Sequence, residues 1–219
     1  MNIKIVYDNQ AEAGFRCGWG FSALVNSSTL FDTGENTESL SENLERFGVD
    51  PVEIDRVVLS HEDWDHVGGI GILKSCGEVS VYVPSSFSTT IRNEMKALNP
   101  EAELVDVKDS IEIDRNFVVT AELGALKKEI SLVVRTGTRL VLIVGCSHPG
   151  LDKIMDEARN FGEILGVIGG FHGFSNIEKL SGIPVIAPTH CTQKKREIHD
   201  AYPSRARNVA AGTEITDIC

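Results

Sequence analysis

The chain has 219 residues, of which 42% are hydrophobic and 24% charged, so it can bury a sizeable core and is not a disordered segment. Acidic residues number 32 and basic residues 21, a formal charge of −11. A field of that sign repels phosphate backbones and anionic bilayers, which argues against general nucleic-acid binding and membrane association, but not against a small anion held at a metal ion.

In chain order, residues 1–7 alternate like a strand and contain no apolar leader segment. Residues 18–26 and 29–32 read as a strand and its hairpin partner, and residues 36–47 have helical spacing through Leu40, Leu44 and Phe47. Short strands are expected at 56–59 and 79–83, with helices at 70–74 and 86–98. Three more strands follow at 104–107, 111–113 and 117–120. Residues 130–135 and 140–144 flank the turn Thr136-Gly137-Thr138 as a hairpin. A helix at 151–161, strands at 164–168 and 185–187, a helix at 192–199 and an edge strand in the tail complete the pattern. Hairpins mixed with strand–helix alternation imply an α/β (α+β) chain with two sheets between helical layers, in a single domain. The longest apolar run, residues 140–144, is far short of the ~18 residues of a spanning helix. Five cysteines without a CxxC pair fit a reducing compartment, so a cytoplasmic location is expected.

The sharpest feature follows the strand at 56–59, in Ser60-His61-Glu62-Asp63-Trp64-Asp65-His66-Val67-Gly68-Gly69. In an extended loop, residues two apart point the same way, so His61 and Asp63 can share one metal. Asp65 and His66 are adjacent and point apart, so they can address a second ion. Imidazole and carboxylate suit zinc, iron or manganese. Three further histidines also follow apolar strands: His148 in Gly-Cys-Ser-His-Pro-Gly, His172 in Gly-Gly-Phe-His and His190 in Pro-Thr-His-Cys-Thr. Strand ends are where α/β folds gather their sites. Trp64 alternates away from these ligands and is expected to pack.

These residues resemble the metallo-β-lactamase superfamily, whose ligand loop reads His-x-His-x-Asp-His. The resemblance spans nearly the whole chain. Phe21 to Val25 with Leu30-Phe31-Asp32-Thr33-Gly34 matches the opening hairpin, and His61 to Gly69 the ligand loop. Gly145 to Gly150, Gly169 to His172 and Pro188 to Thr192 are similar to the branch that contains dihydropterin-ribofuranosyl-aminobenzene phosphate synthases. The resemblance implies a four-layer αββα sandwich with two divalent ions (Zn, Fe or Mn) at one edge. It implies that His61, Asp63 and His148 hold one ion and that Asp65, His66 and His190 hold the other. A metal-bound hydroxide would attack a small anionic ester, with His172 binding substrate or moving a proton. His172 as a further ligand or as a core histidine remains an alternative. Asp32 would fix the ligand loop from behind, or else simply form a turn before Gly34.

Two positions depart from the pattern. Asp63 stands where the loop usually has its second histidine, which favours iron or manganese over zinc, or a mononuclear site. Cys146 stands where the superfamily has its bridging Asp, and it is either a ligand or a small buried hydrophobe. A phosphoesterase-like hydrolase is the leading expectation. A diiron protein handling O₂ or NO and a catalytically weak metal-binding domain are the alternatives.

Overall fold

A computed structural model describes residues 1–216 and 218. The first sheet comprises β1 (Ile3–Tyr7), β2 (Ser22–Val25), β3 (Thr29–Phe31), β4 (Arg56–Val58), β5 (Ser80–Pro84), β6 (Glu103–Val107) and the late strand β13 (Glu214–Ile215), in the order β13-β1-β2-β3-β4-β5-β6. The second comprises β7 (Ile111–Glu112), β8 (Phe117–Val119), β9 (Leu132–Thr136), β10 (Arg139–Val144), β11 (Glu163–Gly170) and β12 (Val185–Thr189), in the order β12-β11-β10-β9-β8-β7. Each sheet is antiparallel on one side and parallel on the other, β3 to β6 in the first and β10 to β12 in the second. This is the mixture that hairpins and strand–helix alternation imply.

Alternate residues divide between two apolar environments. Ile3, Ile5, Ala23, Phe31 and Val58 of the first sheet pack between the sheets with Leu132, Val134, Val141 and Ile143 of the second. Their neighbours Val6, Leu24, Leu30 and Val57 turn outward against α1 (Thr37–Arg46) and α3 (Thr89–Leu98) through Leu40, Leu44 and Met95. On the far side, Leu140, Leu142 and Val144 pack on α4 (Leu151–Ala158) through Leu151, Ile154 and Met155. Isoleucine 198 of α5 (Lys195–Ala201) joins them. Both faces of the central strands are therefore dry, which is why residues 140–144 are an unbroken apolar run. The result is the expected αββα sandwich.

Local differences from the sequence reading have local causes. Residues 18–21 are not part of β2, because Gly18, Trp19 and Gly20 give their N–H groups to Asp8, Glu35 and Asn9 instead of a strand ladder. Residues 70–74 form a 3₁₀ turn, and a one-turn helix, α2 (Trp64–Val67), lies inside the ligand loop. Trp64 does not pack in the core; it is 60% exposed. No helix among the described residues is long and apolar enough to cross a membrane.

A buried side chain ties the first helical layer to the β1–β2 loop. Asn43 donates to the carbonyls of Val6 (2.8 Å) and Arg16 (2.9 Å) and accepts from the Arg16 N–H (2.8 Å). Asn43→Ala leaves three main-chain groups unpaired, and we expect a loss of about 2 kcal/mol in urea unfolding. A loss below ~0.5 kcal/mol, within the scatter of neutral surface changes, would contradict this account.

Candidate metal centre

The chain returns repeatedly to one edge of the sandwich. Asp32 ends β3, Ser60 and His61 follow β4, and Cys146 and His148 follow β10. His172 follows β11, and His190 follows β12. Four of these turns are strained: Asp32, Ser147, His172 and His190 have φ of +52°, +61°, +41° and +43°. Non-glycine residues hold such angles only where neighbours over-determine them, and here the neighbours are identifiable.

His61, His66, His148 and His190 each have Nδ1 committed. Asp32 can only accept, so His66 Nδ1–H donates to Asp32 Oδ2 (2.7 Å). Ser60 Oγ donates to the same oxygen (2.7 Å), which leaves it to accept from His61 Nδ1 (2.8 Å). Glu129 accepts from His148 Nδ1 (2.5 Å) and from the His148 N–H (3.2 Å). His190 is held by two consecutive residues beyond β1. Asp8 accepts from its N–H (2.8 Å), Asn9 Oδ1 accepts from Nδ1 (2.9 Å), and Asn9 Nδ2 donates to its carbonyl (3.3 Å). Partners on Nδ1 fix the tautomer, so all four Nε2 atoms present lone pairs.

Those lone pairs converge. Ring centroids lie 4.2 Å apart for His61 and His66, 5.0 Å for His61 and His148, and 5.1 Å for His66 and His190. The ligating atoms of His61, Cys146 and His148 lie within 4.8 Å of one another, as do those of His66, Cys146 and His190. Cys146 belongs to both groups, with Sγ 3.2 Å from His66 Nε2. Asp63 Oδ2 is 3.3 Å from His61 Nε2, and Asp65 Oδ2 is 3.1 Å from His190 Nε2 and 4.0 Å from His66 Nε2. His172 belongs to neither group; its exposed ring lies 4.9 Å from that of His148.

The electrostatics call for a cation. His61 Nε2 and His190 Nε2 are buried and make no hydrogen bond, although each faces a carboxylate oxygen. With Nδ1 donating, each is an acceptor facing an acceptor, a repulsion that a proton or a metal ion must relieve. Burial lowers the pKa of His190, which disfavours the proton. Burial alone would raise Asp65, but the adjacent imidazoles of His190 and His66 outweigh that and hold it at about 2. Its carboxylate is therefore ionised and ready to ligate. The His61 imidazole and the Lys127 ammonium beside it likewise hold Asp63 far below the ordinary range. For His66 burial lowers the pKa, yet the adjacent Asp32 charge and hydrogen bond raise it overall. The neighbouring Cys191 thiol and burial hold the Cys146 thiol well above its usual value, so a bound cation is what would deprotonate it. Imidazole, thiolate and carboxylate together form a donor set for a divalent transition metal.

Every residue singled out from sequence thus stands at this edge: five in the two converging groups, the two aspartates beside them, Asp32 behind and His172 outside. Sequence reasoning missed Ser60, Glu129, Lys127, Asp8 and Asn9. Asp8-Asn9 directly follows an apolar strand, the same signal that marked the histidines. Glu129 and Lys127 lie in the β8–β9 loop, where no periodicity marks them.

The chain is similar to known proteins in sequence and in fold. The sequence pattern of the metallo-beta-lactamase superfamily matches residues 21–189. An uncharacterized protein of Methanocaldococcus jannaschii is 29% identical, with 78% of each chain covered. The 7,8-dihydropterin-6-methyl-4-(beta-D-ribofuranosyl)-aminobenzene-5'-phosphate synthase of the same organism is 26% identical, with 90% of each chain covered. The solved structure of Tm1679, a metal-dependent hydrolase of the beta-lactamase superfamily, superimposes with a TM-score of 0.83 at 26% identity over 100% of both chains. With a superfamily pattern that runs from before β2 to the end of β12, this chain belongs to the metallo-beta-lactamase superfamily.

Proposed function

We propose that the protein is a cytoplasmic, single-domain hydrolase that uses two divalent metal ions on a small, phosphorylated ester. The observation that carries this reading is the pair of buried, unpartnered Nε2 atoms, each facing a carboxylate. His61, His148 and Cys146 would hold one ion and His66, His190 and Cys146 the other, with Asp63 and Asp65 beside them. Zinc, iron and manganese all suit this donor set. Bound ions supply a nucleophile at neutral pH by lowering the pKa of coordinated water to about 7, and they neutralise charge on the attacked oxygen. A phosphate is supported by the name of the 26%-identical relative, which is that of a synthase of a 5'-phosphate compound. Neither nucleic acid nor membrane is its partner on this reading.

The chain's own residues prepare the site. Asp32, Ser60, Glu129 and Asn9 fix four imidazole tautomers before any ligand arrives, so no reorganisation is needed on binding. Clefts open on both sides of the ligands. One of about 260 Å³ is lined by Asp63, Phe87 and Leu126, and one of about 370 Å³ by His148, His172 and Phe174. Burial and the nearby His148 lower the pKa of His172, which keeps it a neutral imidazole near pH 7. It can accept a proton at the mouth of the second cleft and return it to a leaving group.

The test is metal removal and reloading. Natively purified protein is expected to contain two ions per chain and to hydrolyse bis(p-nitrophenyl) phosphate. Chelation should abolish turnover, and zinc or manganese should restore it. Turnover that survives chelation, or two bound ions without any phosphoester turnover, would overturn the hydrolase reading. Two irons with a visible absorption band and no turnover would replace it with the redox reading that the carboxylate of Asp63 suggests.

A further inference from the structure

Trp19 is 51% exposed, and it stands against the metal centre: its ring centroid is 5.2 Å from that of His190, in an edge-on contact. An indole left half in water beside a ligand keeps apolar area that a ring entering the site would cover. The backbone around it shows that the exposure is built in. Three consecutive N–H groups are anchored: Gly18 to the Asp8 carbonyl (3.2 Å), Trp19 to Glu35 Oε1 (2.9 Å) and Gly20 to Asn9 Oδ1 (3.2 Å). Glu35 is itself held by the hydroxyl of the buried Tyr7 (3.3 Å). The flanking glycines let the loop fit where no side chain could. A Cβ on Gly18 would collide with Tyr7 and Glu35, and one on Gly20 with the Asp65 carbonyl. The loop is wedged between the end of β1, the turn after β3 and the ligand helix α2.

We infer that Trp19 is a substrate-binding residue, a stacking platform for a planar ring carried by the anionic substrate. This inference rests on the proposed function for the anionic head alone. The geometry supplies the rest. Asn9 clamps both Gly20 and His190, so one side chain fixes the platform and the ligand together. A ring on Trp19 is then at a fixed offset from the reacting group, within one ring contact of a ligand. An indole face prefers a flat, polarisable partner in offset stacking over an aliphatic one of equal size. Rigidity adds to this, because a pinned platform loses little freedom when it is covered.

The test uses probes that cannot be hydrolysed. On the metal-loaded protein, calorimetry compares phenylphosphonate, cyclohexylphosphonate and methylphosphonate, which share a head group. Benzoate and acetate form a second pair with a different head. Phenylphosphonate is expected to bind about three- to tenfold tighter than methylphosphonate, in keeping with one aromatic contact. Trp19→Ala should erase that advantage and leave methylphosphonate affinity unchanged, while Trp19→Phe should keep most of it. In a Trp64→Phe background Trp19 is the sole tryptophan, and phenylphosphonate should quench its emission where methylphosphonate does not. The inference falls if the advantage survives Trp19→Ala, if cyclohexylphosphonate binds as tightly as phenylphosphonate, or if Trp19→Ala changes only the oligomeric state in sedimentation. Should neither phosphonate bind while benzoate keeps a Trp19-dependent advantage over acetate, the phosphate reading fails and the ring platform stands. Should no ring-bearing probe outbind its partner, the platform fails, and phosphoester turnover decides the hydrolase reading separately.

Discussion

Asp32→Ala is expected to destabilise the metal-free protein by about 3–5 kcal/mol and to remove most of its metal. Asp32 is fully buried, and its carboxylate is the hub behind the ligand loop. It accepts from Ser60 N–H (2.6 Å), Ser60 Oγ (2.7 Å) and His66 Nδ1 (2.7 Å). Its main chain is used as well: its N–H donates to the Val58 carbonyl (2.8 Å), and its carbonyl accepts from Ser22 Oγ (2.7 Å). Alanine leaves three donors without an acceptor in a dry environment, and hydrogen bonds to charged groups are worth about 1.5–3 kcal/mol each. The metal loss has a separate cause. Without Asp32, His66 Nδ1 loses the partner that keeps its Nε2 a lone pair, and His61 loses its indirect tie through Ser60. His66→Ala separates the two effects. It should also empty the position it shares with His190 and stop turnover, yet cost less stability, because Asp32 keeps both Ser60 donors. Urea unfolding of chelated protein and elemental analysis of reloaded protein read the two quantities. An Asp32→Ala protein within 1 kcal/mol of the parent, or one that keeps both ions, would show that the carboxylate is a turn former only.

The position of Asp32 also shows what the sequence could and could not reveal. Apolar runs ending in histidine were legible because a strand buried on both faces must be apolar throughout, and a polar residue at its end is released to the edge. That one rule located His61, His148, His172 and His190 at the strand ends where the structure has them. The cluster His61 to His66 was legible from spacing within a single loop. The residues that hold these histidines were not, because their roles depend on contacts across the two sheets. Glu129 reaches His148 from 19 residues away, and Asn9 reaches His190 from 181 away. Neither pairing leaves a local periodicity. The β2 boundary was misjudged for a related reason. Residues 18–21 look strand-like, but their N–H groups are taken by the end of β1 and by Glu35, and only the folded edge reveals that competition. The short α2 was hidden because a single turn has too few residues to show a helical period.

Cys146→Ala should strip both ions at once, whereas His148→Ala and His190→Ala should each empty one position. The prediction follows from Cys146 being common to both converging groups, whereas His148 and His190 each belong to one. Cys146 Sγ lies 3.2 Å from His66 Nε2, and the Cys191 thiol lies 3.9 Å from the Cys146 carbonyl, so polar groups stand directly beside it. A cysteine kept for packing would be surrounded by carbon, as Cys76 is among the apolar residues beneath the first helical layer. Burial pushes the Cys76 thiol to about 11, where it stays protonated and inert. Cys146 is raised too, but it faces two sets of imidazole nitrogens, and a cation bound among them would ionise it. Two consequences distinguish a ligand from a filler. Cobalt-loaded protein should show thiolate-to-metal charge-transfer absorption that Cys146→Ala removes and Cys76→Ala leaves intact. Metal affinity should also fall as pH drops, because binding must release the thiol proton, and that dependence should weaken in Cys146→Ala. If Cys146→Ala retains two ions per chain and the cobalt spectrum lacks a sulfur band, water or a carboxylate such as Asp65 must join the two positions. The centre would then be built from imidazole and carboxylate alone, a harder donor set that favours iron or manganese over zinc.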